Sequence, residues 1–470
     1  MMRDIGVCEG IRRLVRAAGL LAVVFVPPAY AQEVECPELP AYVTLGSDGS
    51  VVLTPDSAAR WARERNTQIL IQQQSIPEAE GQLRQAEAAD NLSVDLSATA
   101  IRMGPVSTIQ LPGAEGEEPM EVQVGQEEAY QATISANLPI YTGGRVGIGE
   151  DIAREGIEAA RQGVETAQLQ VAQGARQISY GVLRSVQLAG VAAAQVTAIA
   201  EHVRNAELLE EAGVVAHFDV VQARTELARA NEQLIVVQTA VEQAKAQLRD
   251  ILALPQGLAI TVADAPSPPM PDDDVASLIE TARICRPEIR SAETSLRMAR
   301  LSLRLAEKEL APTVALTGQY ARQSAGGLGG TDWSWQVGIV AQKPIFDGGA
   351  RDGRVESTQA RVAAAELSVE RATEQVSLDV MLAWLRVQEA QERILSAEQG
   401  LVEAREWRRM AQLRYREGLA AGIEVIDADT ALAAAEASLV NAEYDRQLAV
   451  TQLRTAMGLS DQMQQEVETQ

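Results

Sequence analysis

The sequence predicts a mainly α-helical protein with a membrane β-barrel, and three observations lead to this fold class. Apolar residues step by three or four positions from Val362 to Ala404, the spacing of a seam along one very long helix. The same pattern recurs 205 positions earlier, from Ile157 to Ile199. Both copies contain, at the same place, two successive steps of four residues instead of the usual alternation of three and four. Between the helical stretches, apolar and polar residues alternate as in strands with one apolar face.

The composition supports long helices rather than a thick globular core. Aromatic residues make up only 3% of the chain, although 46% of it is hydrophobic. Nearly every second seam residue is alanine, which lets a partner helix approach closely. The formal net charge of −24 at pH 7 would repel a polyanion, so we expect no nucleic-acid partner.

Residues 1–31 have the pattern of a secretory signal peptide. A basic start precedes the short apolar run from Ala17 to Val26 and the small–x–small cleavage site at 29–31. No later stretch approaches the ~20 consecutive apolar residues of a membrane-spanning helix. An oxidising compartment would allow a disulfide between Cys36 and Cys285, although two unpaired thiols fit the sequence equally well.

The internal duplication sets the expected domain organisation. The segments are the signal peptide (1–31), an N-terminal arm with the first repeat (32–254), a Pro-rich linker (255–274), the second repeat (275–460) and a C-terminal tail (461–470). The repeats align without a gap from their Pro-Ile-x-x-Gly-Gly motifs onward. Each repeat is expected to contain a helix, two strands, a very long helix, a turn and a returning helix.

The shorter elements follow from local patterns. We expect the first helices of the two repeats over about 56–89, with a kink or break at Pro77, and over about 275–310. The Pro-, Gly- and Glu-rich segment 103–128 has no periodicity and is expected to be a loop. One long helix is expected over about 145–211 and the other over the matching segment 205 positions later. Each would measure roughly 100 Å at ~1.5 Å per residue.

The strands favour a membrane barrel over a soluble sheet. Tyr130, Trp333 and Trp335 share the apolar face, as an aromatic girdle at a membrane boundary would require. The alternative is a small sheet packed on its own helices. Four strands from one chain cannot close a barrel without open edges in lipid. Two chains would supply eight strands and a filled interior, whereas three would supply twelve and leave an open channel.

The sequence indicates no enzyme, no cofactor and no metal site. The two histidines, His202 and His217, have no acidic or thiol neighbours at catalytic or metal-binding spacing. The glycine-rich segment 326–330 joins two strands rather than a strand and a helix, so it is a turn and not a phosphate-binding loop.

Two acidic residues after the second helical turn suggest a narrow entrance. Glu424 and Asp427 lie three positions apart on one helix face, so several chains would bring a ring of carboxylates around one axis. Acidic residues also suit the start of any exposed helix because they complement its dipole. Spacing alone favours this second interpretation.

The strand–Pro-Ile-Phe-Asp-Gly-Gly–helix junction at 344–349 and the run from Tyr415 to Leu432 resemble the outer-membrane factor family of TolC-like efflux and secretion channels. The resemblance covers about residues 55–460. It implies a homotrimer in the Gram-negative outer membrane, with a twelve-stranded barrel and a periplasmic α-helical tunnel. It further implies a periplasmic adaptor and an inner-membrane transporter as partners, and a function in tripartite efflux or type I secretion.

The resemblance also assigns roles to residues near the helical turns. In the family, acids at the positions of Glu424 and Asp427 narrow the periplasmic entrance, and Asp219 and Tyr415 match members of the bonds that keep it closed. Ala420 stands where related channels often have a basic residue, so the lock is expected to differ here. The adaptor-docking tips would include Gly213, Val214, Gly418 and Leu419. Glycine at each tip is also what a helix reversal requires.

A protein of another class remains as an alternative. A periplasmic coiled-coil adaptor, or another structural protein without a barrel, would explain the long helices. It would not explain two strand pairs whose outward aromatic residues follow the register of the repeat. An enzyme attached to a barrel is the third and least favoured interpretation.

Overall fold

The computed structural model describes most of the chain between residues 44 and 459. The described residues are 44–45, 50–102, 104, 107–111, 120–124, 128–264, 274–325 and 331–459. The predicted signal peptide, Cys36 and the predicted tail 461–470 lie outside them.

Nine α-helices lie within the described ranges. They are α1 (Pro55–Arg65), α2 (Thr67–Gln73), α3 (Ser75–Glu87), α4 (Arg145–Glu211), α5 (His217–Ile251), α6 (Val275–Cys285), α7 (Pro287–Glu307), α8 (Ala350–Arg416) and α9 (Gly422–Ala456). Nine strands accompany them. They are β1 (Thr44–Leu45), β2 (Val51–Leu53), β3 (Ser93–Arg102), β4 (Ser107–Leu111), β5 (Met120–Val124), β6 (Glu128–Tyr141), β7 (Ile260–Val262), β8 (Thr313–Ala325) and β9 (Thr331–Gln342).

The long helices match in length and follow the predicted seam. Helices α4 and α8 have 67 residues each, and the returning helices α5 and α9 have 35 each. In α8, every predicted seam residue from Val376 to Ala404 is buried. These residues pack against α9 and, near Val376, against α6. The seam residues from Val362 to Ala372 are only half-buried.

The helices form a wall in which α4 is central. Helix α4 packs against α1, α2, α3 and α5, and against α7 and α9 of the second half of the chain. Ion pairs join α7 to α4, with 2.7 Å between Arg290 and Glu165 and 2.9 Å between Arg297 and Glu155. Helix α8 packs against α6, α7 and α9. Towards the helical turns the order is therefore α5, α4, α9, α8, with α5 and α8 at the edges.

Four strands form an antiparallel sheet in the order β3-β6-β8-β9. Its register places Tyr320 directly between Ile134 and Trp335, on the face that also includes Trp333 and Tyr130. The opposite face is mainly polar, and there Gln336 donates a hydrogen bond to Gln319 over 2.8 Å. Strands β3 and β9 are the two edges of this sheet within the chain.

Short strands occur in two segments where the sequence predicts none. Strands β4 and β5 pair with each other inside 103–128, which was expected to be a loop. Strand β7 lies inside the predicted linker 255–274 and pairs with β2, parallel to it. Strands of three to five residues contain too few positions for alternation to stand out, so sequence patterns do not detect them.

The shorter helices break at positions that the sequence did not predict. The helix expected over 56–89 is divided at Asn66 and Gln74, and the one expected over 275–310 is divided at Arg286. Pro77 lies in the first turn of α3, where proline costs no helical hydrogen bond. Both Asn66 and Arg286 donate to carbonyl groups at the C-terminal ends of the returning helices.

By length and composition alone, α4 contains an 18-residue window apolar enough to cross a membrane, which the sequence analysis did not anticipate. Of that window, 22% is buried within the chain. Helices α5 and α9 pack on α4, and Tyr180 and Leu183 of α4 contact Tyr444 of α9.

The C-terminal end of α5 carries backbone strain that its counterpart avoids. Ala253 has a φ of 52°, the left-handed region that costs a residue with a Cβ about 1–2 kcal/mol, whereas the equivalent Gly458 has a φ of 74°. We expect Ala253→Gly to raise the thermal unfolding midpoint, since it removes about 1 kcal/mol of strain. Thermal unfolding of the detergent-solubilised full chain measures this.

Gly458→Ala is the matched control and should lower the midpoint. Its new Cβ would lie 3.0 Å from the backbone carbonyl of Cys285, in addition to the cost of its positive φ. A destabilised Ala253→Gly variant would contradict the assignment of strain to this residue.

Candidate functional site at the helical turns

Two glycines end the long helices in the same way. Gly213 and Gly418 have φ values of 73° and 69°, and the amide that follows each donates back to a carbonyl of the last helical turn. The sequence places glycine here because the left-handed conformation excludes most other residues. Val214 and Leu419 follow the glycines and are exposed. All four predicted tip residues therefore lie on the surface of the two turns or form their bends.

Behind the turns, polar side chains of three helices are buried together. His202 of α4 is 5% exposed, Tyr415 of α8 6% and Asp429 of α9 4%. The rings of His202 and Tyr415 have centroids 5.1 Å apart at an interplanar angle of 54°. The Arg408 guanidinium donates from Nε to Asp429 Oδ1 over 2.6 Å. We call these four residues the tip cluster.

Burial dominates the titration of the tip cluster. Burial lowers the pKa of His202 below its usual range, although the carboxylates of Asp429 and Asp219 act in the opposite direction. Burial raises the pKa of Asp429 against the attraction of the Arg408 cation. The pKa of Tyr415 is raised by burial and further by the negative charge of Asp219.

Asp219 and Tyr415, the predicted gate pair, lie close together without a bond. Asp219 is half-buried in the first turn of α5, and its charge acts on both Tyr415 and His202. The Tyr415 hydroxyl is buried and has no hydrogen-bond partner among the described residues. The expected bond between Asp219 and Tyr415 is therefore not formed in this conformation.

Glu424 and Asp427 have different surroundings. The Glu424 carboxylate pairs with Arg414 of α8 at 2.9 Å, and Arg414 also donates to the Leu419 carbonyl over 3.4 Å. Asp427 is exposed. Arg414 thus supplies a cation close to Ala420, the position that lacks a basic residue. Of these two acidic residues, Glu424 forms an ion pair, whereas Asp427 forms none among the described residues.

A cavity of about 470 Å³ lies beside the tip cluster, between α4, α8 and α9. Its polar lining includes Glu201, His202, Asn205, Arg408, Gln412, Tyr415, Arg416 and Asp429. The lining supplies both hydrogen-bond donors and acceptors, so the cavity has the polar partners that a water molecule needs. Within the described residues, no group of three or more His, Cys, Asp or Glu side chains could hold a metal ion.

The sequence analysis missed the importance of His202, Arg408 and Asp429. Asp429 lies between Val425 and Leu432 on the buried face of α9, and His202 lies beside Ile199 and Val203 on that of α4. A polar residue on an otherwise apolar helix face was the available signal. The sequence did not show which polar residues of different helices meet.

Comparison with known proteins identifies the family. The sequence profile of the outer membrane efflux protein family matches residues 59–254 and 278–459. The chain belongs to this family. The resemblance stated from the sequence motifs is thereby confirmed, and the protein is located in the outer membrane.

Individual outer membrane efflux proteins are distant relatives. BepC of Brucella suis is 23% identical over 277 residues, 58% of this chain and 59% of BepC. TolC of Escherichia coli is 24% identical over 298 residues, 59% of each chain. The chain thus spans about three fifths of the length of these curated relatives.

Solved structures show the same fold. A crystal structure of CusC has a TM-score of 0.71 at 17% identity and covers 87% of this chain and 92% of its own. VceC from Vibrio cholerae has a TM-score of 0.67 at 18% identity, with coverages of 86% and 96%. At these identities the likeness shows the fold alone, which is that of outer-membrane channels.

The predicted aromatic girdle and Cys285 lie outside the tip cluster. Tyr130, Trp333 and Trp335 are exposed on one face of the sheet, and Tyr320 joins them there. Tyr320 was not among the predicted girdle residues. Cys285 is half-buried at the end of α6. Its pairing with Cys36 stays a prediction, since Cys36 lies outside the described residues.

The tip cluster predicts opposite effects for two substitutions. Arg408→Gln leaves the buried Asp429 carboxylate without its cation, which should destabilise the protein by on the order of 3 kcal/mol. Tyr415→Phe removes a hydroxyl that has no partner, so stability should stay the same or rise. Thermal unfolding midpoints in detergent distinguish the two. A larger loss in Tyr415→Phe than in Arg408→Gln would contradict this account.

Proposed function

We propose that the protein is the outer-membrane channel of a tripartite efflux or type I secretion system. Three copies would close a twelve-stranded barrel and a helical tunnel. The observation that carries this proposal is a helix surface that is covered in the first half of the chain and uncovered at the equivalent positions of the second half.

The uncovered surface lies on α8. Four residues of α4 are buried: Gln162, Arg176, Tyr180 and His202. Of these, Tyr180 packs with Tyr444 and His202 with Tyr415, both in the second half of the chain. A shift of 205 positions gives their equivalents on α8: Leu367, Met381, Leu385 and Trp407. These equivalents are larger or more apolar, yet they are between 37% and 66% exposed. Apolar side chains at such positions favour a covering helix from another molecule.

Helix α5 offers the complementary surface. In α9, Val440 packs against the buried cluster of Tyr180, Leu183 and Tyr444, and Ile426 packs on Val203 of α4. Their equivalents on α5 are Ile235 and Val221, which are 64% and 47% exposed. Placing α5 of a second copy against α8 would repeat the contact between α9 and α4. Each chain would then have one edge of each kind, an arrangement that closes into a ring.

The sheet supports the same closure. Its two edges, β3 and β9, are the equivalents of β8 and β6, which pair within the chain. Edge strands with unpaired backbone groups are not tolerated in lipid, so β9 of one copy would pair with β3 of the next. The apolar face with its aromatic residues would then meet lipid, and the polar face would line the pore. Three copies would supply the twelve strands that leave an open channel.

The helical turns would form the periplasmic entrance. Three copies would bring three Asp427 carboxylates around the axis, whereas each Glu424 is already paired with Arg414. The ring would therefore hold fewer free charges than the six suggested by sequence spacing. The exposed Val214 and Leu419 at the turns would dock a periplasmic adaptor, which would connect the channel to an inner-membrane transporter.

Cysteine crosslinking tests the ring. In a background with Cys36 and Cys285 replaced by serine, Gln388→Cys together with Thr239→Cys should form inter-chain disulfides, because these residues correspond to Leu183 and Tyr444, which pack in one buried cluster. Denaturing, non-reducing electrophoresis after mild oxidation should show a ladder that ends at the trimer.

Gln388→Cys with Val237→Cys is the control, since Val237 lies on the opposite side of α5 from Thr239. It should crosslink much less. Equal crosslinking of both pairs, or a ladder that stops at the dimer, would overturn the proposed trimer.

Single-channel recording in planar bilayers tests the entrance. Asp427→Asn should relieve most of the block by millimolar Mg²⁺, because the exposed carboxylate attracts the cation. Glu424→Gln should relieve much less, since Arg414 neutralises this group. Glu443→Gln, an exposed site elsewhere on α9, serves as the control. Unchanged block in Asp427→Asn would remove this residue from the entrance.

A further inference from the structure

We propose that His202 is a proton-binding site, and that its protonation loosens the contact between α4 and α9 at the helical turns. This inference concerns the contact within one chain and does not depend on trimer formation. Neither the family nor the sequence motifs assign a role to this residue.

Two helices close over His202. The Tyr415 ring of α8 lies 5.1 Å away between centroids. In the first turn of α9, a Cβ added to Gly422 would lie 3.4 Å from His202 Nε2, at the near edge of ordinary van der Waals contact. The imidazole is only 5% exposed, so full hydration of an imidazolium would need this contact to open.

The charged groups around His202 do not provide an unshared buried counter-ion. From α9, Asp429 faces the ring, but its carboxylate is already bonded to Arg408 of α8. From α5, Asp219 acts on the ring and is only half-buried, so water weakens its attraction. Within α4 itself, Glu201 lines the same cavity, as Arg416 does from α8.

The balance of these effects fixes the direction of the pH response. Burial outweighs the two carboxylates, so the pKa of His202 is lowered when the contact is closed. The contact is then fully stable above the ordinary histidine pKa of about 6.5 and loses stability as the pH falls through the lowered value. Acid favours conformations in which water reaches the ring, and the 470 Å³ cavity beside it provides an entry.

The equivalent position on α8 cannot respond in this way. A shift of 205 positions from His202 leads to Trp407, which does not titrate. In the proposed trimer, acid would therefore weaken the contact between α4 and α9 within each chain and leave the contact between α8 and a neighbouring α5 unchanged. This consequence rests on the proposed function, whereas the proton site itself does not.

Hydrogen–deuterium exchange of the detergent-solubilised full chain tests the site. Exchange of residues 198–209 and 421–430, corrected for the intrinsic pH dependence, should increase several-fold from pH 7.5 to pH 5.0. His202→Gln should abolish this increase. His217→Gln is the matched control, because His217 is the other of the two histidines, is exposed and contacts Glu210. It should keep the full response.

Loss of the increase in His217→Gln, its persistence in His202→Gln, or its absence from the unmodified protein would each overturn the proposal. If His202→Gln fails to fold, Asp219→Asn tests the proton site while His202 is retained. Removing that carboxylate should move the midpoint of the exchange response to lower pH, and an unmoved or raised midpoint would contradict the proposal.

Conductance separates this proposal from the channel function. If both hold, channel conductance should change between pH 7.5 and pH 5.0 in the unmodified protein and much less in His202→Gln. An exchange response without any conducting channel would support the proton site and overturn the proposed function.

Discussion

Close packing between very long helices is the constraint on which the rest of the structure depends. Two helices of 67 residues stay in register with their shorter partners because small and β-branched residues repeat along their seams. A large or charged residue on the seam would separate the helices over several turns, since a helix is stiff on this length scale. The distance between the sheet and the helical turns is therefore fixed by the length of α4 and α8.

The duplication makes the two halves similar but leaves them in different surroundings. Helix α4 is covered by elements on both of its sides, whereas α8 is covered on one side only. The sequence has adjusted to this difference. Gln162 and Arg176 are buried on α4, while leucine and methionine occupy the equivalent exposed positions on α8. An apolar surface at the edge of a wall has its simplest explanation in a further copy of the same wall.

The polar residues at the turns show a second adjustment. Arg408, whose side chain is 32% exposed, pairs with the buried Asp429 between α8 and α9, whereas Arg224, the equivalent of Asp429, pairs with Glu207 of α4 at the surface. A buried pair is costly to break and is geometrically specific, so it fixes the position of α9 on α8 more firmly than a surface pair would. Arg414 adds a cation to the same region and holds Glu424, although position 420 has no basic residue.

The sequence by itself determined the elements with a long, uninterrupted period. The predicted helix over 145–211 has the bounds of α4. Apolar residues recur every three or four positions along it, and a glycine lies just beyond each end. Three residues of the aromatic face, Tyr130, Trp333 and Trp335, and the glycines of the turns were also found, since alternation and positive φ leave direct marks on the residue types. The tertiary structure alone decided features that depend on contacts between distant segments. His202 meets Asp429 and Tyr415 only because α4, α8 and α9 pack side by side, and no local pattern specifies that neighbourhood. Strand β7 and the breaks at Asn66 and Arg286 likewise depend on partners far away in the chain.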